Sequence, residues 1–301
     1  MTPIRTIQEA HGIVGRDREL AMALAVLGAG RHLLLEGPVG VGKTTVALAV
    51  CAHLSRQTVR VDGDDRYSEG KLTGWFDPPL VLKQGYREDS FFAGPLVEAM
   101  RGGHVLFINE LNRMPESVQN VLLPALDEHL IQVPHIGEVR AAAGFQVVAT
   151  QNPVEYVATG HLSEALRDRF EHLALLYQSA AEEQDIVVAE TGSPDAALVQ
   201  RAVRLARATR LHPRFRKGAS VRAAIATVAI AERLWAEKDA CGSVDPETLR
   251  AAAEAAFTTR VDVRDDIDTD FSAAFDEVFD LVVKKGEDPD VVLALPPAPK
   301  A

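Results

Sequence analysis

The sequence predicts an α/β protein in which a parallel β-sheet lies between two layers of helices and a small all-helical domain follows. Short, almost continuous apolar runs alternate with segments of helical periodicity, which is typical of strands that are buried on both faces of a parallel sheet. A glycine-rich loop separates the first of these runs from a helical pattern. From about Ser179 onward the strand-like runs stop and only helical patterns follow, which predicts a domain boundary.

Composition limits the kinds of protein that the chain can be. It has 301 residues, of which 47% are apolar and 25% are charged, an ordinary globular composition. The formal net charge of -11 disfavours a general affinity for nucleic acids. Cys51 and Cys241 make no disulfide framework and fit a reducing cytoplasm. No window approaches the roughly 18 apolar residues of a spanning helix, and the N-terminus lacks a signal-peptide core. We therefore expect a soluble cytoplasmic protein.

The first domain is predicted to span residues 1–178 and to contain the sheet. Helical patterns cover Arg16–Gly28 and Pro115–His129. Two insertions are expected: a loop or hairpin at Gly74–Pro95, which is rich in Gly, Pro and aromatic residues, and a hairpin at Leu130–Ala143 that turns at His135–Gly137. The predicted strands are His32–Leu35, Thr58–Val61, His104–Ile108 and Phe145–Thr150.

The second domain is predicted to be a helical module over residues 179–262. Pro246 after Asp245 marks one helix start, and Ser220 is the expected cap of another. Residues 263–301 are expected to form an acidic extension with one amphipathic stretch and a frayed tail, PPAPKA.

The strongest functional signal is the loop GPVGVGKT, which matches the phosphate-binding P-loop pattern in full, between a strand and a helix. Its glycines let successive backbone N–H groups turn toward one point, where the helix N-terminus adds positive potential. Lys43 is expected to reach the β- and γ-phosphates and Thr44 to offer its hydroxyl to a magnesium ion. The predicted nucleotide-binding residues are Gly37, Pro38, Val39, Gly40, Val41, Gly42, Lys43, Thr44 and Thr45.

The polar pair Asn109 and Glu110 ends the predicted strand HVLFI. Nucleotide hydrolases usually carry an Asp at the first position, where it holds magnesium through water. The Asn109 amide oxygen can still accept a hydrogen bond from a metal-bound water, but it lacks the charge that favours the ion. Magnesium relies mainly on phosphates and waters, so we predict weaker magnesium binding with chemistry retained. Glu110 is the expected residue that polarises the attacking water, and a simple strand-end cap is the alternative.

Four more polar residues are candidates for phosphate chemistry. Asn152 follows a predicted strand and could orient the water or touch the γ-phosphate, although a turn-forming Asn-Pro is the alternative. Arg167 and Arg169 suit charge stabilisation on a phosphoryl group, but two residues apart on a helix they cannot point the same way. Arg222 lies in the first turn of a helix, where the helix dipole disfavours a cation, so phosphate contact would explain it. An ordinary surface arginine is the alternative.

Together, GPVGVGKT, LFINELNRMP, ATQNPVE, LSEALRDRF and GASVRA resemble the motifs of AAA+ ATPases, and in particular those of the MoxR branch, which is related to magnesium-chelatase ATPase subunits. The resemblance runs from about Val14 to Val261. It implies a three-layer αβα P-loop NTPase domain with a helical lid, assembled into rings, typically hexamers, with ATP and Mg²⁺ between neighbouring subunits.

The resemblance also implies roles for the matched residues. Asn109 and Glu110 would form the second acidic motif, with Asn109 as the departure from the usual Asp. Asn152 would be the sensor on the strand and Arg222 the sensor on the lid. Arg169 resembles the finger that reaches a neighbour's γ-phosphate, with Arg167 as the second candidate.

Proteins of this branch commonly act as chaperone-like remodelers that mature a protein client, often with a partner that carries a von Willebrand factor A domain. The two hairpin insertions would face substrates or partners. A regulatory nucleotide-binding switch with weak hydrolysis is the alternative that Asn109 favours. A nucleic-acid remodeler gains little from the acidic charge, and a small-molecule kinase leaves Asn152, the paired arginines and Arg222 without a role.

Overall fold

A parallel sheet organises the first of two compact units, Met1–Leu176. The computed structural model describes residues 2–152, 162–238, 242–264 and 270–293. Within these residues the strands of this unit are β1 (Leu33–Glu36), β2 (Thr58–Asp62), β3 (Gly74–Phe76), β4 (Phe91–Ala93), β5 (Val105–Asn109), β6 (Leu130–Val133), β7 (Gly137–Arg140), β8 (Gln146–Gln151) and β9 (Glu171–Ala174). Five of them form the main sheet in the order β2-β5-β8-β1-β9, and every pairing in it is parallel.

Helices cover this sheet and connect its strands. They are α1 (Pro3–His11), α2 (Asp17–Gly28), α3 (Lys43–His53), α4 (Glu69–Thr73), α5 (Pro78–Gln84), α6 (Pro95–Gly102), α7 (Glu116–Asn120), α8 (Leu122–Asp127) and α9 (Glu164–Arg167), with 3-10 turns at Glu88–Ser90 and Leu111–Arg113. The α/β prediction is confirmed. The interior strand β5 explains why the apolar runs were informative, because Val105 to Ile108 are completely buried.

The structure of this unit differs from the sequence prediction in two elements. The edge strand β9 was not predicted, because its residues alternate between half-buried and exposed positions and make no continuous apolar run. The single helix predicted over Pro115–His129 is two helices, α7 and α8, which meet at Val121. Pro124 has no N–H group to donate to the carbonyl of Asn120, as a continuous helix would require.

Both insertions contain antiparallel strands. β6 and β7 form the predicted hairpin, and its turn places His135 and Gly137 in the left-handed region, with φ of 64° and 89°. β3 pairs with β4, and the segment between them contains helix α5, so the first insertion is a hairpin with a helix in its loop.

The second compact unit, Tyr177–Ala301, is mostly helical. Its described helices are α10 (Ala180–Thr191), α11 (Ala196–Leu211), α12 (Val221–Glu237), α13 (Pro246–Phe257), α14 (Phe271–Phe279), a π-helical turn at Asp280–Lys284 and α15 (Pro289–Val292). Asp245 caps α13 and Pro246 is its first residue, as predicted. Two short strands, β10 (Phe215–Lys217) and β11 (Asp262–Val263), pair antiparallel and contradict the expectation that strands cease in this region; they are too short to leave a sequence pattern.

Two further features of this unit bear on the predictions. Ser220 occupies the N-cap position of α12, as predicted. Its side chain, however, accepts no capping hydrogen bond from the helix. Phe275 and Phe279 of α14 are buried in the core of the unit, which explains the amphipathic pattern of that stretch. Cys241 and the tail PPAPKA lie outside the described residues, and the limits of the three domains stay a prediction. No described helix is both long and apolar enough to cross a membrane.

Candidate phosphate-binding site

The glycine-rich loop joins β1 to α3 at the carboxyl end of the sheet. Gly42 is the N-cap of α3 and has a φ of 89°, which lies in the left-handed region that glycine adopts most easily. A Cβ atom on Gly37 would lie 2.1 Å from the carbonyl oxygen of Leu175, so only glycine allows this close approach. The loop conformation therefore depends on glycines at defined positions, and it leads directly into the N-terminus of a helix of eleven residues.

Lys43 connects this loop to the neighbouring strand. Its side chain is buried, and Nζ donates to the carbonyl oxygens of Gly37 at 2.7 Å and Pro38 at 2.8 Å. Nζ also donates to Oδ1 of Asn152 at 2.8 Å, just beyond the end of β8. These neutral oxygens hold a buried cation beside the loop, where an anionic phosphate oxygen would be a stronger acceptor.

Asn109, at the end of β5, accepts two hydrogen bonds and donates one. Its Oδ1 accepts from the Thr44 hydroxyl at 3.1 Å and from the Thr150 hydroxyl at 3.0 Å. Its Nδ2 donates to Oδ1 of Asp62 at 3.0 Å. Asp62 stands opposite Asn109 in the register of β2 and β5. The ion pair and hydrogen bond with Arg60, assisted by Asn109, lower the pKa of the Asp62 carboxyl.

Glu110 lies in a sharp turn directly after β5. Its φ of 57° is left-handed, a costly conformation for a residue with a side chain. Oε1 accepts from Nδ2 of Asn152 at 3.2 Å, and Oε2 pairs with Arg113 at 2.8 Å. Its backbone N–H donates to the hydroxyl of the fully buried Thr150 at 2.9 Å. The structure thus brings together Lys43, Thr44, Asn109, Glu110 and Asn152. For Lys43, Glu110 and Asn152, this convergence is what the rule that ligands gather at the carboxyl ends of parallel strands predicts.

Several residues of this site were not predicted. Thr150 and Asp62 position Asn109 and Glu110, and Gly63 lies so close to Glu110 that a Cβ there would meet the Glu110 carbonyl oxygen at 2.1 Å. Asp62 could have been found, because it ends a predicted strand in the same way as Asn109. Arg16 was not predicted either. Its buried guanidinium donates to the carbonyl oxygens of Val41 at 3.0 Å and Leu176 at 2.7 Å, and the first of these hydrogen bonds supports the loop.

The two candidate arginines near α9 do not join this cluster. Arg169 pairs with Asp127 and donates to the carbonyl of Ala165, and it borders a cavity of about 330 Å³. Its lining residues are Gly30, Arg31, His32, Leu126, Asp127, His129, Asp168 and Arg169. Gly30 to His32 precede β1, whereas the glycine-rich loop follows β1, so Arg169 lies at the opposite end of the sheet from Lys43. Arg167 is exposed and makes no ion pair within the described ranges.

Arg222 belongs to the second unit, where it is exposed in the first turn of α12. Thr45, the last of the predicted nucleotide-binding residues, is an exposed residue of α3, and Val39 is 37% exposed on the loop. Among the other predicted nucleotide-binding residues, Gly37, Val41 and Lys43 are buried.

The oxygen donors of the site fit a magnesium ion that is bound together with phosphates. The Thr44 hydroxyl and the Asn109 amide oxygen are hard ligands, and they lie 3.1 Å apart next to the loop. Among the described residues, no group of three or more His, Cys, Asp or Glu side chains is placed to hold a metal ion. Such an ion would depend on phosphate oxygens and water for most of its ligands.

Comparisons with known proteins agree with this geometry. The family model described as an AAA domain of the dynein-related subfamily matches residues 32–170. An uncharacterized protein of Staphylococcus haemolyticus is 31% identical over 184 residues, which is 60% of this chain and 69% of that protein. The chain belongs to the AAA+ ATPase family. Another relative, the gas vesicle ATPase GvpN of Ancylobacter aquaticus, is 28% identical over 250 residues, or 77% of this chain and 68% of that protein.

Solved structures show the same fold at lower sequence identity. A RuvB mutant of Thermotoga maritima is 21% identical, with a TM-score of 0.56 over 81% of this chain and 71% of that chain. NtrX of Brucella abortus, in complex with ADP, is 17% identical, with a TM-score of 0.57 over 93% of this chain and 68% of that chain. At these sequence identities, the likeness supports the P-loop NTPase fold of this chain and nothing about its activity.

Proposed function

We propose that this AAA+ protein is an ATP hydrolase that works as a ring-forming, MoxR-like remodeler of a protein complex in the cytoplasm. The observation that carries the proposal is the hydrogen-bonded cluster of Lys43, Thr44, Asn109, Glu110 and Asn152 around the glycine-rich loop. A cation, a hydroxyl, a carboxylate and two amides meet there at the carboxyl ends of β1, β5 and β8, where parallel sheets bind their ligands.

The phosphates of ATP would lie on the backbone N–H groups of the loop and at the N-terminus of α3. Lys43 would exchange neutral carbonyl oxygens for phosphate oxygens and so gain acceptors that carry negative charge. Thr44 and Asn109 would hold Mg²⁺, which would neutralise charge on the β- and γ-phosphates when bound. Because Asn109 carries no charge, we expect weaker magnesium binding than an Asp would give.

Glu110 would polarise the attacking water. Asn152 contacts both the Glu110 carboxylate and the Lys43 ammonium group, so it links the expected base to the expected phosphate ligand. A phosphate oxygen that replaced Asn152 as an acceptor of the Lys43 ammonium group would free the Asn152 amide to orient the water or the γ-phosphate. The glutamine variant Glu110→Gln should therefore keep ATP binding and lose turnover by about 10²- to 10⁴-fold.

A neighbouring subunit would complete the site. Arg169 lies at the end of β1 that is remote from the loop, and a strand of four residues alone separates the two ends by about 13 Å. It therefore cannot serve the Lys43 site of its own chain in this arrangement, which supports a role in trans. Arg169 remains the first candidate for the finger, and the exposed Arg167 is the second.

Mixing two inactive variants tests this arrangement. Lys43→Ala should bind ATP about 10- to 100-fold more weakly but keep both arginines, whereas Arg169→Ala should keep the pocket but lack the finger. Each should be nearly idle alone, because a finger is worth about 10³- to 10⁵-fold in turnover. Mixed rings should recover turnover, since an intact pocket then faces an intact finger.

The same mixture with Arg167→Ala decides between the two arginines, and turnover per subunit should rise with protein concentration as rings form. If both single variants at Arg167 and Arg169 hydrolyse ATP at the wild-type rate, the proposal of a finger in trans is wrong. Arg222 is proposed to contact phosphate as the sensor of the lid, so Arg222→Ala should weaken turnover in the same assay.

The client is proposed to be a protein, with a von Willebrand factor A domain protein as a possible partner. Aromatic and aliphatic side chains on the first insertion are exposed and offer an apolar surface for it: Trp75 is 54%, Phe92 47% and Leu82 88% exposed. A Glu110→Gln ring that holds ATP should retain its client during purification, and a Trp75→Ala variant in the same background should release it.

A regulatory switch with weak hydrolysis is the second candidate, because Asn109 replaces the usual carboxylate. Steady-state turnover of the wild type against Glu110→Gln separates the two functions. Equal, negligible rates in two proteins that both bind ATP would favour the switch, whereas a large difference supports hydrolysis.

A further inference from the structure

The side chain that faces Asn109 is a carboxylate on the next strand. Asp62 and Asn109 are register partners at the carboxyl ends of the parallel strands β2 and β5, so their side chains emerge on the same face of the sheet. Nδ2 of Asn109 donates to Oδ1 of Asp62 at 3.0 Å. The position beside the expected magnesium site therefore holds an amide and a carboxylate in contact, on two different strands.

Asp62 determines which way the Asn109 amide points. The other two partners of Asn109 are the hydroxyls of Thr44 and Thr150, and a hydroxyl can either donate or accept a hydrogen bond. They would satisfy the amide in both orientations. An ionised carboxylate only accepts, so it must face the NH₂ group. The carbonyl oxygen of Asn109 is then turned toward Thr44 and the phosphate loop.

Asp62 contributes orientation more than charge. Arg60 pairs with it through both carboxylate oxygens, at 2.8 Å and 3.2 Å, and this cation offsets the negative charge that Asp62 would add near the loop. Asp62 is also 60% exposed, so water screens its charge further. Its hydrogen bond to the amide, by contrast, acts on a side chain whose oxygen touches Thr44 directly.

We propose that Asp62 is a positioning residue for the magnesium–nucleotide complex and that Asp62 and Asn109 form a matched pair. Restoring the usual carboxylate with Asn109→Asp would then place two carboxylates in hydrogen-bonding contact and impair the site. Exchanging both residues, in Asp62→Asn with Asn109→Asp, would restore a donor opposite an acceptor. This inference rests on the proposed ATP binding and adds a residue to that site.

Calorimetric titration with a non-hydrolysable ATP analogue, in excess Mg²⁺ and in EDTA, tests the pair. The ratio of the two affinities isolates the magnesium-dependent part of binding, which a general loss of structure would not change selectively. Asp62→Ala should lower this ratio by about three- to tenfold, the range expected for one hydrogen bond. The exposed neighbour variant Asp65→Asn is the control and should leave it unchanged.

Asn109→Asp alone should also lower the ratio, and the double exchange should restore it to at least the wild-type value. Melting temperatures without nucleotide should follow the same order, with Asn109→Asp below the exchanged pair. If Asn109→Asp alone equals or exceeds the exchanged pair in the magnesium-dependent ratio, or if Asp62→Ala matches Asp65→Asn, the inference is overturned. Absence of analogue binding by the wild type would instead refute the proposed function.

Discussion

Replacing Gly63 with alanine should separate nucleotide binding from hydrolysis. Gly63 follows β2 and donates its N–H to the carbonyl of Asn109 at 2.7 Å. An added Cβ would lie 2.1 Å from the carbonyl oxygen of Glu110 and 3.1 Å from that of Asn109. Both atoms belong to the backbone, so they cannot move aside as the end of a flexible side chain could.

The geometry sets the size of the effect. A carbon atom normally approaches a carbonyl oxygen no closer than about 3.3 Å, so the turn at Glu110 must move by about 1 Å. A displacement of this size in a reacting group costs about 10²-fold in rate. Overpacking of this kind also destabilises by about 1–3 kcal/mol, which lowers the melting temperature by about 2–12 °C for a unit of this length. The added Cβ disturbs the Glu110 turn most directly, whereas Lys43 and the loop lie on another strand connection, so ATP affinity should fall less than turnover.

The assay compares Gly63→Ala with Gly70→Ala, whose added Cβ meets no atom within 4 Å. Turnover, analogue binding and thermal unfolding are measured for both variants and the wild type. We expect the control to behave as the wild type in all three. A Gly63→Ala protein that hydrolyses ATP and melts like the control would show that the Glu110 turn is not the strained, tightly supported element that the structure indicates.

Three further predictions concern single side chains. Lys43→Ala should weaken ATP-analogue binding by about 10- to 100-fold in calorimetry, the loss expected for a hydrogen bond to a charged group, and an unchanged affinity would exclude Lys43 as a phosphate ligand. Thr150→Val leaves the Glu110 N–H unpaired, so it should lower the free energy of unfolding by about 1–3 kcal/mol and also lower turnover. The control Thr227→Val, at an equally buried position in α12, should lower stability alone. Equal turnover in the two variants would contradict this role of Thr150. Burial lowers the pKa of His32 from 6.5 to about 4, and its Nδ1 accepts from the N–H of Val147 at 2.9 Å. The unfolded chain therefore binds the extra proton first as the pH falls, and the free energy of unfolding should drop between pH 6.5 and about 4. His32→Asn, which keeps a hydrogen-bond acceptor, should flatten this pH dependence in urea unfolding. The control His53→Asn, at an exposed position, should not flatten it.

The buried strands were predictable because burial on both faces requires a continuous run of apolar residues in the sequence. β5 is apolar from Val105 to Ile108 since both of its faces are covered, and the same holds for Val147 to Ala149 of β8. The edge strand β9 has an exposed side, and the break between α7 and α8 depends on one proline within an otherwise helical pattern. Neither feature changes the local hydrophobic periodicity enough to be recognised from sequence alone.

Outside the glycine-rich loop, the residues of the site were predictable only where they stand at the ends of strands. Asn109, Glu110 and Asn152 stand at strand ends, so the rule that ligands gather at the carboxyl edge of a sheet brought them together in advance. Asp62 satisfies the same rule, but its importance depends on the order of the strands, which places β2 directly beside β5. The roles of Gly63 and Thr150 depend on contacts of a few ångströms between separate strands, and no spacing within the chain encodes these.

The polar groups of the site already have protein partners, and we expect a bound phosphate to replace some of them. Lys43 is bound by uncharged oxygens, and Glu110 is held by Arg113 and Asn152, so no described group in the cluster must be buried without a partner before phosphate arrives. A phosphate oxygen carries negative charge, so it would be a stronger acceptor for the Lys43 ammonium group than these neutral oxygens. Because Asn152 touches both Lys43 and Glu110, displacement at the lysine alters the environment of the carboxylate on the next strand. We therefore expect nucleotide binding and release of Glu110 to be coupled through the Asn152 amide, and Asn152→Ala should weaken that coupling while leaving the loop intact.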